Sequence, residues 1–165
     1  MKKEIDLDKH RGMFQSFVEK KRTVILSFVD EDGKPFSSIA PFVKKDNKLY
    51  VYISQIAEHH DLADKSEWVD VLLVGDESET KNAFATERLR FTCKPKNLGN
   101  DDNEEIFEVF NEVFQPSLMN LLRGLDFSLF ELTPHEGRYV VGFGLAFDVT
   151  IDGSMFNHVV IDKKK

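Results

Sequence analysis

Five histidines, two closely spaced arginines, a Gly-Phe-Gly triplet and a single cysteine are the residues of this chain whose types could do chemistry. His59 and His60 are adjacent, so on a helix their side chains diverge by ~100° and cannot both ligate one metal ion. His158 stands in the terminal MFNHVVI. His10 lies in a polar N-terminal segment and His135 follows a proline in an expected turn, so both read as surface residues. Arg88 and Arg90 flank Leu89 in a strand-like alternation, which sets both guanidinium groups on one face. From there they either reach a carboxylate or stay solvated. Gly142 and Gly144 have no side chains, so a flat group can lie against their backbone; a bulge or tight bend is the other reading. Ser37 and Ser38 add two hydroxyls. Cys93 alone forms neither an internal disulfide nor a CxxC site and reads as a small core residue. No Ser-His-Asp set, phosphate loop or zinc signature accompanies them.

These side chains need elements to position them. Met13, Phe14, Phe17 and Val18 have helical spacing, which predicts an N-terminal helix within residues 1–20. Three β-rich runs follow, Thr23–Val29, Pro35–Val43 and Lys48–Ser54, joined by DEDGK and KKDNK. Gly33, Asp46 and Asn47 tolerate the positive φ of tight hairpins, so the runs predict an antiparallel meander. IAEHHDLADKSEW predicts a short helix, Trp68–Val74 a fourth strand, DESETKNAF a loop or one helical turn, and Glu87–Cys93 a fifth strand. After an expected loop over NLGNDDNEE, a helical excursion spans 101–123. Its stripe is Ile106, Val109, Phe110 and Val113, interrupted at Pro116. The last third is β-rich again, with DFSLFELTP, EGRYVVGFGLAFDVT and MFNHVVI as strands and 153–165 as a tail. No linker divides the chain, so 1–165 is one expected domain. A closed antiparallel barrel hides such strand edges.

The bulk numbers narrow the partners. With 41% hydrophobic residues and fifteen Phe, the chain can bury a core. A net charge of −7 repels phosphate backbones, so nucleic acid is not an expected partner. No run approaches the ~20 apolar residues of a membrane span, and MKKEIDLDKHRG lacks the apolar core of a signal peptide. The expected location is the cytoplasm.

Several stretches, in order, resemble a known family. VILSFVDEDGKPFSSIAPF resembles the first hairpin of the pyridoxamine 5′-phosphate oxidase-like split barrels. SSIAPF, ISQIAEHH, FATERLRF and VVGFGLAFDV resemble, more specifically, the HugZ/HutZ-type haem oxygenases. The resemblance runs from about Arg22 to His158. It implies a mainly β fold: a six-stranded antiparallel split barrel of the FMN-binding type, with peripheral helices. It also implies a homodimer with a small-molecule cofactor in the groove between subunits, either haem or FMN. His59 and His158 match histidines of the haem-degrading relatives, and Arg88 matches their RL position.

The residues favour haem. An FMN phosphate needs Arg or Lys donors. The segment that carries an Arg-Lys pair in the flavin oxidases has Glu58 and Asp61 here. On the second strand Ser37, Ser38 and Val43 replace bases, and Lys44 and Lys45 are expected in a turn. Haem needs an apolar slot, an imidazole and a cation. The candidates are Gly142 and Gly144 for the slot, His158 for the iron, and Arg88, Arg90 and His59 around the ring. The relatives' C-terminal arm with its axial histidine has no counterpart after His158. The expected function is haem binding or haem oxygenase-like breakdown. An FMN-dependent oxidoreductase and a non-catalytic ligand-binding dimer are the alternatives.

Overall fold

The computed structural model describes residues 4–160. Its first element, α1 (Leu7–Lys20), starts where the Asp6 carboxylate accepts the Lys9 backbone N–H at 3.0 Å and buries Phe14, Phe17 and Val18. β1 (Thr23–Val29), β2 (Pro35–Lys45) and β3 (Lys48–Ser54) form the meander. Gly33 turns the first hairpin at φ +75°, and Asp46 and Asn47, at φ 48° and 62°, turn the second. The chain then passes through α2 (Glu58–Lys65) and β4 (Val69–Val74), followed by two 3₁₀ turns, Glu77–Glu79 and Ala83–Ala85. Next come β5 (Arg88–Gly99), α3 (Glu104–Phe114), α4 (Pro116–Arg123), β6 (Phe127–Gly142), β7 (Leu145–Val149) and β8 (Phe156–His158).

Hydrogen bonding runs in the order β3-β2-β1-β4-β5-β6-β7-β8, and β3 also pairs with β6. The first six strands therefore close into an antiparallel barrel, the predicted fold, and β7 and β8 extend its sheet beyond β6. Alternation fixes the inside: Val24, Leu26 and Phe28 of β1 pack with Val71, Phe91 and Phe130. Phe14 and Phe17 of α1 join this core through Tyr139. A second cluster lies outside the barrel, where Val43, Tyr50, Tyr52 and Leu129 meet Ile106, Phe107, Phe110 and Met119 of α3 and α4. Among the described residues no helix is long and apolar enough to cross a membrane.

Several predicted boundaries change. DFSLFELTP, from Phe127 on, and the EGRYVVG part of the next run form one 16-residue strand, the rest of that run turns into β7, and His135 lies in the long strand rather than in a turn. Between Phe91/Gly137 and Cys93/Pro134 the β6 strand carries one extra residue, and this bulge admits Pro134 without losing the ladder. β5 continues through Asn97 and Gly99, which local reading left in a loop. Pro116 is not merely a break: it opens α4, where its missing N–H has no intrahelical partner to lose. Lys44 and Lys45 end β2 rather than standing in the turn. The 153–165 tail includes β8, and its residues 161–165 lie outside the described residues.

Gly137 sits where the bulge brings β6 against β5. An added Cβ would meet the Arg90 carbonyl oxygen at 2.5 Å and the Phe91 ring at 2.5 Å. Gly137→Ala is expected to lower stability by about 1–3 kcal/mol, read as a shifted urea midpoint with an unchanged slope.

Candidate functional site

Arg88 and Arg90 do share a face, the outer one. Across it the register aligns Ile39, Ile25, Leu72, Arg90, Arg138 and Asp148 in one row. Two arginines side by side repel, and each is neutralised by its own carboxylate: Arg90 Nη1 donates to Asp70 at 2.9 Å and Arg138 Nε to Asp148 at 2.7 Å. Arg88 differs. Its Nη1 donates to the Thr86 carbonyl at 2.9 Å, and it makes no ion pair among the described residues. Of the three arginines on this face it is the one without a carboxylate partner. Asp70, 20 residues from Arg90, carries no local signal of this role and is the residue that reading the sequence missed.

Ser37 and Ser38 part company, because neighbours on a strand point to opposite faces. Ser37 lies outside, 3.0 Å from Ser27 Oγ. Ser38 pairs in register with Leu26, on the inner face, and its Oγ lies 2.5 Å from His59 Nδ1. His60 diverges from His59 as helix geometry requires. It is buried, with Nε2 2.9 Å from Ser128 Oγ and its ring against Phe130. The two histidines thus clamp α2 to β2 and β6. Burial, then the neighbouring His60, pushes the His59 pKa below its ordinary value. Beside α2 opens a groove of about 520 Å³ whose rim includes Asp30, Glu31, Asp32, Glu58 and Asp61, with Lys65 as its cation.

Gly142 and Gly144 correct the expectation of a glycine strand. Gly142 ends β6, and Phe143 and Gly144, the latter at φ +67°, form the hairpin tip to β7. The bend reading of these glycines holds, so any flat group meets a turn there and not a strand. His158 fixes that tip. Its Nε2–H donates to the Gly144 carbonyl at 2.8 Å, so Nδ1 is the ring nitrogen outside that bond. The His158 ring lies 5.5 Å from that of Phe147. His10 is half-buried rather than superficial, its ring centroid 5.1 Å from that of Phe147. Cys93 is buried, and burial pushes its thiol up to about 12, so it is an inert core residue.

The candidates therefore divide. His158 pairs with Phe147 and shares the face of Tyr139 and Leu89, whereas Arg88 pairs with Val140 on the opposite face. Ser38 and His59 stand on β2 and α2, three strand spacings, or about 14 Å, around the sheet from Arg88. One protomer does not bring the whole set together.

The sequence pattern of the pyridoxamine 5′-phosphate oxidase family matches residues 12–141. The chain belongs to that family. Within it the chain is of the HutZ/HugZ type: it is 33% identical over 140 residues to the haem oxygenase HutZ of Vibrio cholerae, covering 84% of this chain and 80% of HutZ. The crystal structure of V. cholerae HutZ, described as a haem storage protein, superposes with a TM-score of 0.73 at 28% identity over 84% of this chain and 99% of that one. Campylobacter jejuni ChuZ gives a TM-score of 0.84 at 26% identity over 96% of this chain, which spans 65% of the ChuZ chain. A haem-binding protein of Mycobacterium smegmatis shares the fold, with a TM-score of 0.71 at 14% identity.

The lowered His59 pKa has a consequence for stability. Below the unfolded value of ~6.5 the unfolded chain binds the proton more readily, so stability present above that pH is lost as pH falls towards the folded pKa. His59→Gln is expected to flatten the decline in urea stability between about pH 7 and pH 5; an unchanged profile would remove His59 from the cause.

Proposed function

We propose that the chain binds haem in a groove completed by a second copy of itself and supports the oxidative breakdown of that haem in iron acquisition. The observation that carries this reading is the division of the candidate side chains: His59 and Ser38 lie at one place on the barrel, Arg88 and the Gly142–Gly144 tip at another. A ligand that meets both sets needs two protomers. The outer face offers the surface for such a pairing, with Val29 65% and Ile39 62% exposed and Ile25 and Leu72 half-buried beside them. Exposed apolar rows of this kind commonly mark contact surfaces.

The residues present fit haem. His158 presents an imidazole whose Nε2–H bond to Gly144 orients the ring and leaves Nδ1 as the atom that would meet iron. Arg88 offers an un-neutralised guanidinium to a propionate. Bound haem would supply the dioxygen chemistry; the protein's part is to orient the ring and hold its carboxylates. The carboxylates around α2 disfavour a doubly charged phosphate at the His59 end. The FMN alternative has one observation in its favour, a cleft of about 340 Å³ with Lys21, Arg22 and Lys44 on its wall. The Glu19 carboxylate lines the same cleft, and Arg22 donates to the Glu19 and Lys21 carbonyls at the end of α1. We place the protein in the cytoplasm, where a lone thiol such as Cys93 stays reduced.

Adding haemin to the purified chain is expected to produce a saturable Soret band. The maximum should move in His158→Ala, and the protein should sediment as a dimer. FMN added at the same concentration should leave its spectrum and fluorescence unchanged. Absence of saturable haemin binding, or tight FMN binding, would sink the reading.

A further inference from the structure

We propose that the cleft between the end of α1 and the second half of α3 is a binding site, separate from the haem groove, for a small aliphatic carboxylate. The inference does not rest on the haem reading. The floor of the cleft is apolar: Val18 of α1, Phe42 and Val43 of β2, and Val109 and Val113 of α3. Its wall carries Lys21, Arg22 and Lys44 against a single carboxylate, that of Glu19. The lining is therefore positive in a chain whose net charge is −7. Its volume of about 340 Å³ lies at the lower end of small-molecule sites, ~300–1,000 Å³, so the ligand is compact.

The three cations are held in different ways. Arg22 Nη1 donates to the Glu19 and Lys21 carbonyls at 2.7 and 3.0 Å, which sets the guanidinium at the end of α1 and leaves Nε and Nη2 outside those bonds. Lys21 Nζ stands 5.4 Å from the centroid of the Phe17 ring. Asp76 lies within electrostatic reach of Lys21, but its carboxylate takes its hydrogen bonds from Ser78. Among the described residues none of the three cations forms an ion pair. Lys21 and Arg22 also offset the negative end of α1. Lys44 stands on β2 and has no helix end to offset.

The head group is a monoanion. A doubly charged phosphate is held best where backbone N–H groups converge, as at a helix N-terminus. The helix end in this cleft is a C-terminus, whose partial negative charge opposes a dianion, and Glu19 adds to that. A carboxylate needs only a guanidinium edge or an ammonium group, and an aliphatic body matches a floor of four valines and one phenylalanine. A second copy of the chain is the competing occupant. On β2 the outward side chains run Ile39, Pro41 and Val43, and α3 packs over the Val43 end. That cover closes the cleft to a sheet-on-sheet contact between copies.

The test titrates sodium octanoate into the full chain at low salt, followed by calorimetry and by NMR amide and methyl shifts. Saturable binding is expected, with shifts centred on Val43, Val109 and Val113. Lys44→Gln is expected to raise Kd about threefold and Lys44→Glu about fivefold, with haemin binding and the sedimentation coefficient unchanged. The Lys44→Gln variant keeps the test open should the charge reversal fail to fold. 1-Octanol, the same chain without the charge, should bind about fivefold more weakly than octanoate. Raising salt from about 0.01 M to about 0.3 M should weaken octanoate and leave octanol unaffected. Absence of saturable binding, equal affinity for octanoate and octanol, or an unchanged Kd in Lys44→Gln would overturn the assignment. So would shifts centred on Arg88 or His158, or displacement of octanoate by inorganic phosphate at equal concentration. A changed sedimentation coefficient in the variants gives the cleft to a contact between copies and also ends the proposal. Failure of haemin binding alone ends the haem reading and leaves this site standing.

Discussion

Leu49–Ser54 pairs antiparallel with Phe127–Leu132, and this contact closes the sheet. Without it β3 and β6 would each present a row of unpaired amides and carbonyls to solvent, costly if buried and sticky if exposed. Closure also forces every strand to choose an inside. Because the side-chain period is two, Leu26, Val71 and Phe91 enter the core together, and Ser27, Asp70 and Arg90 face out together. β6 is long enough to serve two partners in turn. Its first half holds β3, and its second half, beyond the Pro134 bulge, leaves β3 and takes β7. The hairpin tip and His158 exist where they do because that strand overshoots the barrel.

The outer face shows how charge follows from that closure. Register places Arg90 beside Arg138, an arrangement that Asp70 and Asp148 offset from the far sides of the two strands. Individually such exposed pairs contribute little to stability. Their effect here is selective: they neutralise two arginines and leave Arg88. At the α2 end the balance is reversed, since carboxylates crowd the groove and burial lowers the His59 pKa. The two regions thus carry opposite charge, a guanidinium at one and carboxylates at the other.

Local chemistry made much of the fold legible. The positive-φ residues Gly33, Asp46 and Asn47, the alternation around Leu89 and the stripe around Phe110 each place an element from neighbours a few residues away. Their structure agrees because tertiary packing did not override them. The boundaries that moved are those where a distant partner decides. Asn97 and Gly99 are strand because β6 supplies their hydrogen bonds, and the runs either side of Pro134 merge because β5 accommodates the extra residue.

For the site, the sequence by itself determined the residue types: an imidazole at 158, arginines at 88 and 90 on one face, flexible glycines at 142 and 144, and acids on α2 where bases would hold a phosphate. The residue types and the shared arginine face follow from the sequence and its period of two, and the contrast between acids and bases on α2 from the family resemblance. Only the tertiary structure decided which of these groups are free to act. It set Asp70 against Arg90, turned Ser38 inward to His59 and Ser37 outward, held the His158 ring on the Gly144 carbonyl, and put His158 and Arg88 on opposite faces. Those are long-range pairings set by sheet register, and no window of neighbouring residues contains them.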